Sequence, residues 1–164
     1  MGVWITRQNL HVDRTACPWL IRRFIDPRAK FVFVEAKVPA AFVGRTFDML
    51  DAEFTHDGPK CTFEVMIERL ELADDPALIE MGLIVRGADI PTGRRLRPES
   101  VGLEAFIDGV QATTPDDDEK LRLTGPLYEA LYAYCQKKVR SHKSRDPRRP
   151  KLRVGRRIRD HLTE

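Results

Sequence analysis

The chain of 164 residues is 42% apolar and 32% charged with a formal net charge of +3, which is typical of one globular domain rather than a disordered or fibrous chain. No apolar run approaches the roughly 20 residues of a membrane span, and the N-terminus lacks the basic and apolar regions of a signal peptide. We therefore expect a cytoplasmic protein with no membrane span. The cysteines Cys17, Cys61 and Cys135 disfavour a disulfide framework, since their number is odd and they include no CxxC pair.

The charge is unevenly distributed along the chain. Residues 137–164 carry 12 Lys and Arg against three acidic residues, a net of +9, whereas the remainder carries 16 basic and 22 acidic residues, a net of −6. We expect a domain at 1–140 and a basic C-terminal tail at 141–164. Such a tail can contact nucleic acid, an acidic membrane surface or a neighbouring subunit of a homo-oligomer, and the sequence leaves these partners open.

Three segments have the composition of β-strands. Residues 3–6 are a short β-favouring run, residues 30–36 read as a buried strand because they alternate too little for a half-exposed one, and residues 46–50 are a third candidate. With a helix between the first two, the first 36 residues predict a βαβ unit with parallel strands.

The helix of this unit is predicted within the sequence DRTACPWLIRRFID at 13–26. Because proline is favoured only in the first helical turn, Pro18 predicts a start near Ala16 or Cys17. Trp19 is expected on the polar side of this helix, opposite an apolar stripe.

Helices dominate the rest of the chain. One is predicted to begin near Thr62, and a central buried one is capped by the aspartates before Pro76 and ends near Gly87. An amphipathic helix follows around 103–110, and a longer one runs to about Arg140 with a break or bend at 125–126. The predicted fold class is α+β, with α/β as the alternative: a small, partly parallel sheet with a helix-dominated remainder.

Two segments carry residues suited to chemistry. Cys17 and Arg23 have the Cx5R spacing of a catalytic thiol loop, but the bulky residues between them favour a buried structural cysteine. The loop EFTHDGPK supplies Glu53 and His56, which together with Asp89, or with Asp13, would offer a divalent metal ion oxygen and nitrogen ligands. The alternative is a histidine that caps a helix or ties down a loop.

Arginines form a third group. With Asp13, they are our candidate ligand-binding residues: Arg7, Arg14, Arg22, Arg23 and Arg86. Guanidinium groups bind chromate, sulfate, phosphate or carboxylate through two parallel hydrogen bonds. The alternative is that three of them form ordinary salt bridges with aspartates: Arg14, Arg22 and Arg86 with Asp13, Asp26 and Asp89.

Several of these strings occur together in one known family. The segments WITR, DRTACPWLIRRFID, FVFVEA, FD at Phe47 and Asp48, AEFTH, CTFE, IVRGAD and YEALYAYC, in this order, resemble the C-terminal domain of the chromate-resistance regulatory protein family. The resemblance implies a role in chromate resistance, where the full-length protein resembles a chromate-responsive transcriptional regulator. It implies no catalytic assignment.

Our leading hypothesis is therefore a chromate-resistance protein whose body is a sensor or regulatory domain that binds an oxyanion or a metal ion. The alternative is a metal- or thiol-dependent enzyme that acts on an oxyanion or a small substrate, with His56 as base or metal ligand and Cys17 or Cys61 as redox thiol.

Overall fold

The structure is a computed structural model that describes residues 2–38, 43–90 and 97–145. Within these ranges it contains three strands and five α-helices: β1 (Val3–Arg7), α1 (Val12–Leu20), β2 (Lys30–Val34), β3 (Arg45–Thr46), α2 (Thr62–Arg69), α3 (Pro76–Asp89), α4 (Glu99–Thr113) and α5 (Asp117–Arg145). The predicted α+β class, with a small sheet and a helix-dominated remainder, is confirmed. None of the described helices has the length and apolar character to cross a membrane.

The sheet is parallel throughout and has the strand order β2-β1-β3. Helix α1 connects β1 to β2, so the predicted N-terminal βαβ unit is confirmed. Strand β2 lies at the edge, and Val34 is its buried residue while Lys30 is exposed, so the expectation of a fully buried strand was wrong.

Strand β3 is shorter than the predicted 46–50. It can pair closely with β1 because Gly44 precedes it: a Cβ atom there would lie 2.6 Å from the carbonyl oxygen of Val3. The strand ends where Asp48 turns away with a φ of 49°, a conformation that aspartate tolerates better than most residues. The chain is thereby directed back toward the helical layer.

Helix α1 begins at Val12, earlier than Pro18 indicated, so Pro18 lies in its interior. An interior proline removes one backbone hydrogen bond and costs about 3 kcal/mol. Burial offsets this cost, since each large apolar side chain removed from water contributes about 1.5–3 kcal/mol and Leu20 and Trp19 are both buried. The expectation that Trp19 faces solvent was therefore wrong. After Leu20 the helix continues as a π-helical segment, Ile21–Ile25.

Helix α3 is the predicted central helix, packed against α2, α4 and α5. The carboxylate of Asp75 accepts the backbone N–H groups of Ala77 and Leu78, which confirms the predicted N-terminal cap. The helix passes through Gly87, which is buried, and ends at Asp89. This end lies within the RGAD segment, two residues beyond the predicted position near Gly87, and it places the Asp89 carboxylate beside α1.

Helix α5 packs along α1 and α3 and continues through Gly125 and Pro126 without the predicted break. It reaches Arg145, so the first residues of the predicted tail are helical. Residues 146–164, which hold most of that tail, lie outside the described residues.

The Tyr128 hydroxyl joins α5 to α1. It is fully buried and lies 3.1 Å from the Val12 carbonyl oxygen and 2.7 Å from the Thr15 Oγ1. Replacement Tyr128→Phe should lower the free energy of unfolding by about 1–2 kcal/mol, because the buried Val12 carbonyl loses this donor. Urea denaturation measures the change. The matched control is Tyr134→Phe, whose hydroxyl bonds Glu99 at the surface; an equal loss in the control would contradict the prediction.

Candidate metal centre

Four side chains from four parts of the fold meet at one point. Asp13 lies in the first turn of α1, Asp48 follows β3, His56 lies in the loop before α2, and Asp89 is the last residue of α3. The His56 Nε2 is 3.2 Å from Asp13 Oδ2, 3.3 Å from Asp48 Oδ1 and 3.4 Å from Asp89 Oδ2. We call these four residues the Asp–His cluster.

Asp13 is the buried member of the cluster, with no exposed surface. Its carboxylate accepts the backbone N–H groups of Thr62 at 2.6 Å and Phe63 at 3.3 Å, so it occupies the N-terminus of α2, where the helix dipole favours an anion. Its own backbone N–H donates to Asp89 Oδ1 at 3.1 Å. Asp13 therefore joins the ends of α1, α2 and α3.

Asp48 was not among the residues proposed for a site. It accepts a hydrogen bond of 2.8 Å from the Thr62 hydroxyl, and its left-handed backbone directs the carboxylate toward His56. Strained conformations of non-glycine residues concentrate at functional sites. The available signal was the FD string of the family resemblance, but the sequence placed Asp48 inside the candidate strand 46–50, whereas in the fold it follows the strand.

The electrostatics of the cluster follow from burial and from these bonds. Hydrogen bonds to the three aspartates raise the pKa of His56 to about 12. Burial raises the pKa of Asp13 to about 7, against the opposing effect of the His56 hydrogen bond. Burial acts in the same direction on Asp48, but hydrogen bonds from His56 and Thr62 outweigh it and lower the pKa of that carboxyl.

Two of the predicted arginines border the cluster. Arg14 Nε is 3.7 Å from Asp48 Oδ2, and Arg86, one turn before Asp89, lies 3.4 Å from Glu64 Oε2. Both guanidinium groups are largely buried and face carboxylates, as the salt-bridge alternative expected, but the partners are Asp48 and Glu64 rather than Asp13 and Asp89.

The other predicted residues lie elsewhere. Glu53 forms a bidentate pair with Arg45, at 3.1 and 2.6 Å, rather than facing His56. Arg7 lines a groove at the carboxyl ends of the strands. Arg22 and Arg23 lie in the π-helical segment, at the opposite end of the α1 region from Asp13.

The thiols proposed for the enzyme alternative are poorly placed for reaction. Cys17 and Cys61 are fully buried, and burial raises the pKa of each thiol well above its ordinary value. A nucleophilic or redox cysteine needs accessible thiolate. Both therefore have the character of core cysteines, which the sequence favoured for Cys17.

The geometry could hold a metal ion. Asp13, His56 and Asp89 can each offer one ligand atom, and these atoms all lie within 4.8 Å of one another. Carboxylate oxygen with one imidazole nitrogen suits divalent ions such as Mn²⁺ or Zn²⁺.

The fold and the cluster define the class of protein as an α+β domain with an Asp–His centre where three helix ends meet. A family model described as "ChrB, C-terminal domain" matches residues 4–135, and the chain belongs to this family. It is 39% identical over 133 residues to Protein ChrB of Cupriavidus metallidurans (strain ATCC 43123 / DSM 2839 / NBRC 102507 / CH34), covering 80% of this chain and 40% of that protein. No solved structure matches. Family membership supports an association with chromate resistance.

The shifted pKa values predict how the stability of the metal-free protein depends on pH. The pKa of His56 is raised from 6.5 to about 12, so its contribution to stability is full below pH 6.5 and is lost as the pH rises toward 12. The pKa of Asp13 is raised from 3.8 to about 7, so its contribution is lost as the pH rises through 7. Both groups predict that the free energy of unfolding falls between about pH 6 and about pH 7, and His56 alone predicts a further fall up to about pH 9.

Chemical denaturation at several pH values in the presence of a chelator measures this fall. In the His56→Gln variant, the free energy of unfolding should fall less steeply with pH. In NMR titrations the His56 imidazole should remain protonated at about pH 9. A His56 midpoint near 6.5, or stability that rises over this range, would contradict the assignment.

Proposed function

We propose that this chain is a regulatory domain of chromate resistance that responds to a divalent cation bound by the Asp–His cluster. The observation that carries the proposal is the convergence of three carboxylates on one imidazole nitrogen, within 3.2–3.4 Å. Asp13, His56 and Asp89 would be the ligands, and Asp48 would complete the oxygen-rich wall.

Charge supports a cation. When all three carboxylates are ionised, the imidazolium and the Arg14 guanidinium beside Asp48 offset two of the three negative charges. A divalent ion that replaces the Nε2 proton would offset the third as well. The ion would also relieve the burial cost that raises the pKa of Asp13.

Hydrogen bonds from neighbouring groups hold the carboxylates of the cluster in position to bind an ion. Backbone amides of α2 hold both oxygens of Asp13, the Thr62 hydroxyl holds Asp48, and the Asp13 backbone N–H holds Asp89. Hydrogen bonds of this kind orient metal ligands and raise affinity, typically by 10–100-fold.

A direct oxyanion site at the same point is less favourable. The aspartates would repel chromate, and both neighbouring arginines already face carboxylates. We therefore favour the cation over the oxyanion as the ligand of the cluster.

Regulation rather than catalysis is proposed because the cluster joins structural elements. A cation held there would bind the ends of α1 and α3 and the loop before α2 at once, so binding would stabilise one arrangement of the helices. Because the family is associated with chromate resistance, we take chromate resistance to be the process that cation binding would regulate. The chain covers 40% of the length of Protein ChrB, so any link to DNA or to transcription is part of the proposal.

Calorimetric titration of the chelator-treated protein with Mn²⁺ and with Zn²⁺ tests the proposal. We expect saturable binding of one ion and a higher melting temperature when it is bound. His56→Ala and Asp89→Asn should each weaken binding at least about tenfold. Because both side chains are partly accessible, these variants should remain folded.

Glu53→Gln is the matched control. Glu53 lies in the same loop, three residues before His56, but pairs with Arg45. The Glu53→Gln protein should therefore bind metal with the same affinity as the wild type. Absence of saturable binding by the wild type would refute the proposal, as would equal losses in Glu53→Gln and Asp89→Asn. Metal-free binding of chromate that is lost in Arg14→Gln, the arginine beside Asp48, would favour the oxyanion instead.

A further inference from the structure

A second cavity lies between the C-terminal part of α1 and helix α5, away from the Asp–His cluster. Its volume is about 200 Å³, and its lining includes Pro18, Trp19, Leu121 and Gly125, with Arg22, Arg23 and Glu129 among the other lining residues. Asp13 belongs to the first turn of the same helix, whereas the lining runs from Thr15 through the later turns of α1 and the π-helical segment to α5, and it includes no member of the cluster. The cavity is thus separate from the proposed cation site.

The body of the cavity is apolar. Trp19 and Leu121 are 8% and 6% exposed, and a Cβ atom on Gly125 would have no atom within 4 Å. An apolar cavity of about 150 Å³ is enough to hold a benzene ring. The space therefore fits one small ring or a branched chain of similar size.

The polar side chains of the lining carry a net positive charge. Arg22 is exposed and lies over the Phe31 ring at 4.7 Å, and it forms no salt bridge with a carboxylate of residues 2–38, 43–90 or 97–145. Arg23 Nε is 3.5 Å from Glu129 Oε2, an oxygen that also accepts the Trp19 indole N–H at 3.0 Å. Two guanidinium groups against one carboxylate leave an excess of one positive charge.

We propose that this cavity binds a small organic carboxylate, with its apolar body against Trp19 and Leu121 and its carboxylate on Arg22 and Arg23. A carboxylate matches the planar guanidinium donors, and the apolar floor favours a ring over a compact inorganic anion. The Glu129 carboxylate is half exposed, so it can move from Arg23 while a ligand replaces it. The π-helical turn that presents both arginines is itself a feature found frequently at functional sites.

Benzoate is the probe, and the Trp19 indole N–H resonance of the full chain is the readout. We expect a saturable shift with a dissociation constant on the order of 1 mM. Benzamide, which has the same shape without the charge, should bind at least about tenfold more weakly. Sodium sulfate at equal ionic strength should produce no saturable shift.

Two variants locate the site. Arg22→Gln should weaken benzoate binding at least about tenfold, and Gly125→Leu should abolish it by filling the cavity. The matched controls are Arg28→Gln, an exposed arginine outside the lining, and Gly109→Leu, a helical glycine with equally open surroundings on α4. Both controls should bind benzoate like the wild type.

Three results would overturn the proposal: no saturable shift with benzoate, equal binding of benzoate and benzamide, or equal losses in Arg22→Gln and Arg28→Gln. A Gly125→Leu protein with a native circular dichroism spectrum and unchanged binding would also overturn it. The metal titrations are unaffected by these outcomes, because the cavity and the Asp–His cluster share no residue.

Discussion

The fold depends on a buried carboxylate at the N-terminus of a helix. Asp13 has no exposed surface, and a buried charge is tolerated only when it is paired and hydrogen-bonded. The backbone amides of Thr62 and Phe63 and the imidazole of His56 meet that requirement. Since these groups belong to different elements, the positions of α1, α2 and the intervening loop are interdependent.

The same interaction accounts for the chemistry of the cluster. Carboxylates gathered for structural reasons alone would be expected to face separate cationic partners, as Glu53 faces Arg45 and Glu64 faces Arg86. Asp13, Asp48 and Asp89 instead share one imidazole nitrogen. Even with the Arg14 guanidinium beside Asp48, that arrangement leaves one negative charge in excess when all three carboxylates are ionised, which favours a cation site over a balanced salt bridge.

Helix α1 contributes residues both to the Asp–His cluster and to the cavity beside α5 because it is irregular. Its first turn presents Asp13, and its interior proline and π-helical extension direct the following arginines toward the cavity beside α5. Propensity alone disfavours such a helix. The burial of Cys17, Leu20 and Ile21 on its core side supplies the stabilisation that local sequence lacks.

The sequence by itself determined the elements whose signals are local. The β-favouring runs around a helix predicted the βαβ unit, and Asp75 before Pro76 predicted the start of α3, because strand composition and capping act over a few residues. His56, Asp13 and Asp89 were likewise recognised as residue types suited to a metal. Tertiary structure decided what depends on distant partners: the burial that allows Pro18 inside α1, the turn that brings Asp48 to His56, and the pairing of Glu53 with Arg45. It also decided which arginines flank the cluster and which flank the cavity, because a guanidinium group binds whichever carboxylate the packing of the helices places within its reach.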